Sequence, residues 1–94
     1  MVEDTRLQLR QAFIEGVGWG PAAQSPLGGD ASFRRYVRLE LNGKRAMVMD
    51  ADPAHGEDVR PFVQIDRHLR VLGLSAPDIL AEDEERGFLL LEDF

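Results

Sequence analysis

Ninety-four residues, 44% of them apolar and 30% charged, supply one small packed core and exclude two independently folded domains. Eleven Lys and Arg against 17 Asp and Glu leave a net charge of −6, which opposes the cationic surface that nonspecific nucleic-acid binding needs. Cysteine is absent, which removes disulfides, thiolate metal sites and a cysteine nucleophile together and fits a reducing compartment. No apolar run exceeds four residues and Met1-Val2-Glu3-Asp4 lacks the regions of a signal peptide, so the expectation is a soluble, cytoplasmic chain with no membrane partner.

Thr5 and Gln8 have capping-box spacing, and Leu9, Phe13 and Val17 recur at i, i+4 and i+8, which predicts a helix from about Thr5 to Glu15. Gly16, Gly18, Gly20 and Pro21 then favour a loop, in which Trp19 is expected as a packing anchor. A short strand is predicted at Gln24 to Leu27. From Phe33 to Leu41, apolar and polar residues alternate as in a half-buried strand, and Asn42-Gly43 favours a type I′ turn. Lys44 to Met49 should therefore return antiparallel.

Phe62, Ile65, Leu69 and Leu72 fall on one helical face, predicting a helix from about Val59 to Leu72 that Asp58 starts and Gly73 ends. Strands are expected near Ile79 to Ala81 and at Phe88 to Leu91, separated by the acidic turn at residues 82–87. Four successive apolar residues imply that the last strand is buried on both faces.

Chemistry concentrates in two places. Between two strands, Pro26-Leu27-Gly28-Gly29-Asp30-Ala31-Ser32-Phe33 offers adjacent glycines, free amides and the Ser32 hydroxyl to a phosphate, or serves simply as a connecting turn. It matches neither the Walker nor the dinucleotide pattern. Arg34, Arg35, Arg38, Lys44 and Arg45 oppose only Glu40, so the hairpin is cationic within an anionic chain. It is either an anion site or a solvated strand surface, and Lys44 and Arg45 beside the turn suit solvent best. His55 and His68 have no metal-ligand spacing, and His68 should face water.

Three local sequences then carry a resemblance: residues 27–36 (LGGDASFRRY), 72–80 (LGLSAPDIL) and 86–93 (RGFLLLED). Together with the order of elements they resemble the N-terminal lobe of the aminoglycoside phosphotransferase family, relatives of protein kinases. Within it the wording is most similar to bacterial kinases that phosphorylate N-acetylmuramate and N-acetylglucosamine at the anomeric position, in cell-wall recycling. The resemblance implies an α+β, kinase-like lobe of about five antiparallel strands, one packed helix and an N-terminal helix.

It also implies an ATP-binding role for residues 1–94. Gly28, Gly29, Asp30, Ser32 and Phe33 would form the loop over the phosphates, Arg34 and Arg35 would lie beside it, and Glu92 and Asp93 would open the hinge that meets adenine. The catalytic aspartate and the Mg2+ ligands would belong to a C-terminal lobe beyond position 94. The parent protein would transfer the γ-phosphoryl group of ATP to the hydroxyl of a small-molecule acceptor, and the lobe alone would be inactive. One departure stands out: Met49 occupies the place of the kinase lysine, with Phe62 or Asp66 near its usual glutamate partner. Arg34, Arg35 and Lys44 are the substitute cations, among which spacing does not choose. Met49 also motivates the alternatives, a regulatory pseudokinase lobe or a non-catalytic interaction module.

Overall fold

The computed structural model describes residues 2–27 and 34–93. Its elements are helix α1 (Val2–Gly16), strands β1 (Ala23–Pro26), β2 (Arg34–Leu41) and β3 (Lys44–Ala51), a short 3₁₀ turn (Pro53–His55), helix α2 (Arg60–Val71), and strands β4 (Ile79–Asp83) and β5 (Phe88–Glu92). All five strands are antiparallel in one sheet ordered β1-β2-β3-β5-β4. The predicted kinase-like α+β lobe is the fold observed.

Local chemistry explains the joints. Asn42 and Gly43 both adopt positive φ, 53° and 79°, so the β2–β3 hairpin closes on Leu41 and Lys44 as a type I′ turn. The amide of Arg60 bonds the Asp58 carboxylate at 3.0 Å at the start of α2. At its end Gly73 takes φ 79°, and the amides of Gly73 and Leu74 bond the carbonyls of Arg70 and Leu69, the paired bonds of a Schellman cap.

The sheet separates two apolar layers. On the outer face, Ile14 of α1 packs with Val37, Leu39, Ala46, Val48 and Leu90, and Phe13, Val17 and Trp19 flank them. On the inner face, Met49, Ala51, Leu89 and Leu91 pack with Val59 and Val63. β5 thus feeds Leu90 to one layer and Leu89 and Leu91 to the other, as its unbroken apolar run requires.

Two helical details differ from the sequence expectation. α1 begins at Val2, so Thr5 and Gln8 lie inside the helix; nothing among the residues before Thr5 is a glycine or proline that would stop it. α2 is rotated from the expected stripe. Its buried residues are Val63 and Asp66, while Ile65 and Leu72 stay 61% and 59% exposed and only Phe62 packs on the inner layer. The sheet receives the ridge of Val59, Phe62, Val63 and Asp66, which also satisfies helical spacing.

The rotation makes a direct prediction. Val63→Ala should destabilise the domain by about 1–3 kcal/mol, as a buried truncation does, whereas Ile65→Ala should remain within about 0.5 kcal/mol. Urea denaturation of the two variants checks it, and equal losses would restore the other helix phase.

Candidate functional site

Strand alternation sorts the cationic hairpin. Arg34, Tyr36 and Arg38 pair with Ala51, Met49 and Met47, so these residues share the inner face, whereas Arg35 pairs with Asp50 in the outer-facing set. Lys44 sits at the hairpin tip beside Leu41, seven residues along β2 from Arg34, about 23 Å of strand. It is remote from the start of β2, and of the three substitute cations only Arg34 is both at that end of the strand and on the inner face. Lys44 and Arg45 are exposed, as expected beside a turn.

Arg34 is already engaged. Its Nε donates to Glu57 Oε1 at 2.7 Å and its Nη2 to the Asp58 carbonyl at 3.4 Å, which ties the start of β2 to the loop before α2. Partial desolvation pulls its pKa down, but hydrogen bonding and charge attraction to Glu57 and Tyr36 outweigh this and leave it above the ordinary arginine value. Arg34 is a fixed positive charge whose field Glu57 partly cancels.

The predicted loop residues Gly28, Gly29, Asp30, Ser32 and Phe33 lie outside the described residues, as does Phe94. At the other end of the face, Glu92 and Asp93 separate. The Glu92 carboxylate accepts a bond from the Asp78 amide at 3.4 Å, while Asp93 Oδ2 accepts one from Arg38 Nε at 2.8 Å. Sequence reasoning missed this Arg38–Asp93 pair, although alternation places Arg38 two positions from Tyr36 on the same face.

Met49, at the place of the kinase lysine, is 1% exposed and packed with Leu89 and Val63. Both residues considered near its partner position lie on the packed side of α2: Phe62 packs on the layer that holds Met49, and Asp66 is 4% exposed with Oδ2 lacking any hydrogen-bond partner. An apolar layer stands where the resemblance would put the lysine–glutamate pair.

A second network lies on the outer face. Asp50, 2% exposed, accepts Arg6 Nε at 2.8 Å and Arg10 Nη1 at 3.2 Å, and the Arg6 guanidinium stands 4.0 Å over the Phe88 ring. It clamps α1 to the sheet. Two grooves occur: one of about 500 Å³ lies between α1 and residues 82–86, and one of about 330 Å³ lies among Glu57, Asp58, Arg60, Glu84 and Glu85. Their acidic rims repel a polyanion. Among the described residues, no cluster of His, Asp and Glu is placed to hold a metal ion, and no helix is long and apolar enough to cross a membrane.

Among the described residues, a five-stranded antiparallel sheet with a packed helix, a basic second strand and a final strand buried on both faces has the architecture of a kinase-like lobe. The sequence profile of the phosphotransferase enzyme family matches residues 23–94, and the chain belongs to that family. Its relatives include the N-acetylmuramate/N-acetylglucosamine kinase of Pseudomonas aeruginosa, 41% identical over 99% of this chain and 30% of the relative. The protein of the same description from Pseudomonas putida is 44% identical over 92% of this chain and 26% of the relative. That from Caulobacter vibrioides is 31% identical over 89% of this chain and 30% of the relative. The chain therefore spans less than a third of the length of these curated relatives.

Proposed function

We propose that residues 1–94 form the nucleotide-binding lobe of an ATP-dependent amino-sugar kinase. The observation that carries this reading is the inner face itself. It runs from Arg34 at the start of β2, past the half-buried Tyr36 and Met47, to Asp93 just beyond β5, an order that suits triphosphate, ribose and base in turn. The similarity to N-acetylmuramate/N-acetylglucosamine kinases supports an amino sugar as acceptor.

In the whole protein an acceptor hydroxyl oxygen attacks the γ-phosphorus, the bond to the bridging oxygen of ADP breaks, and the hydroxyl proton passes to a base. Mg2+ bound with ATP supplies charge neutralisation. This lobe binds and orients: Arg34 offers positive charge at the start of β2, and the half-buried Tyr36 and Met47 form an apolar ceiling. None is placed as the base, which this reading assigns to a C-terminal catalytic lobe. The exposed Ile65, Leu72 and Leu74, at 61%, 59% and 55%, are a surface such a lobe would cover.

Calorimetric titration with Mg·ATP tests the division of labour. The isolated 94-residue chain should bind with a Kd weaker than about 10 μM, equivalent to about 7 kcal/mol, because one wall encloses a small ligand poorly. It should show no transfer to N-acetylglucosamine, while the longest natural form should show both binding and transfer. In that longer form, Gly29→Val and Ser32→Ala should weaken ATP binding with acceptor affinity nearly unchanged, since valine lacks glycine's backbone freedom and alanine lacks a hydroxyl to offer a phosphate oxygen. Equal losses for nucleotide and acceptor would remove the loop from the nucleotide site.

Met49 favours a second reading. Its burial in place of a phosphate-binding lysine suits a regulatory lobe that has lost transfer. Absence of transfer by the longest natural form, with ATP binding retained, would select that reading.

A further inference from the structure

We infer that Arg38, held by Asp93, is the residue on which the nucleobase stacks, so that it governs purine binding while leaving phosphate binding alone. This rests on the nucleotide-lobe reading above. Arg38 lies four residues beyond Arg34 on β2, about 13 Å further along the strand. It shares a cross-strand row with Met47 and Leu91, at the end of the inner face where β5 finishes.

The geometry of the pair gives its two members different roles. Arg38 Nε donates to Asp93 Oδ2 at 2.8 Å and Nη2 faces Oδ1 at 3.5 Å, so the carboxylate grips one edge of the guanidinium. The Asp93 side chain is only 10% exposed, whereas that of Arg38 is 40% exposed. In an ordinary surface ion pair both groups face water and wander. Here the shielded carboxylate is the anchor and the guanidinium is the presented group. With that edge occupied, Arg38 offers its flat face and Nη1, which has no partner among the described residues. A planar guanidinium beside apolar side chains is a stacking platform for a purine.

The test uses the longest natural form, with Arg38→Met and Arg38→Lys variants, titrated calorimetrically with Mg·ATP and with Mg·tripolyphosphate, which has phosphates and no base. Arg38→Met should weaken Mg·ATP about tenfold, within the range for a lost cation–π contact, and change tripolyphosphate less than about twofold. Arg38→Lys keeps the ion pair, and hence the fold, but lacks the flat face; it should still lose about threefold for Mg·ATP. Equal losses for both ligands would make Arg38 a phosphate contact, and unchanged Mg·ATP affinity in the Lys variant would make the pair purely structural; either overturns the inference alone. A wild-type protein that does not bind Mg·ATP overturns the nucleotide-lobe reading and the inference with it.

Discussion

Asp50→Ala is expected to destabilise the domain by about 3–5 kcal/mol, the range for removing one partner of a buried ion pair. Asp50 holds two guanidinium groups whose side chains are only 11% and 13% exposed, at Arg6 and Arg10. Its removal leaves Arg10 without its carboxylate and Arg6 with only Asp52, 4.0 Å away. Arg6 also donates to the carbonyls of Arg86 and Gly87, so the loss spreads from α1 to the turn before β5. A small domain has little reserve against a change of that size. The compensating triple variant, Asp50→Leu with Arg6→Met and Arg10→Met, should recover most of the loss, because the cost lies in unpaired charge rather than in volume. Guanidinium denaturation measures both, and a single-variant loss below about 1 kcal/mol would show that solvent reaches the network.

Gly87→Ala should cost about 2–5 kcal/mol, combining a left-handed backbone with overpacking. Gly87 has φ 80°, and a Cβ there would collide with the carbonyl oxygen of Ala51. That collision falls on a structural joint, since the Ala51 amide donates to the Gly87 carbonyl at 2.8 Å where β3 and β5 meet. Gly56 is the control: its φ is 81° but a Cβ meets nothing within 4 Å, so Gly56→Ala should cost only about 1–2 kcal/mol. Thermal unfolding of the two variants separates strain from collision. Equal shifts would mean that the close approach at Ala51 relaxes freely.

Features governed by neighbours in sequence were legible. Asn42-Gly43 fixed the hairpin and its register, Gly73 ended α2, and the run from Phe88 to Leu91 marked a strand covered on both sides. The phase of α2 was not legible, because two overlapping stripes satisfy helical spacing and the buried one contains the polar Asp66. Hydrophobicity alone selects the stripe with Ile65, Leu69 and Leu72.

The candidate site divided in the same way. Spacing did not choose among Arg34, Arg35 and Lys44; the strand register did, setting Arg34 and Arg38 on one face, Arg35 on the other and Lys44 at the far end of the hairpin. The partners of those cations were hidden because they are distant in sequence. Arg38 and Asp93 are 55 residues apart, and Arg6 and Asp50 are 44 apart. The first pair exists because β5 inserts beside β3 instead of lying at the sheet edge, and the second because α1 folds back over the outer face. Neither arrangement follows from local propensity.

The central claim, that nucleotide binds on the inner face, is tested most directly by methyl NMR of the longest natural form titrated with Mg·ATP. Met47, Met49 and Leu91 should shift with nucleotide, while Ile14, Val48 and Leu90, packed on the outer face, should remain in place. Shifts confined to the outer set, or a titration that moves neither set, would contradict it.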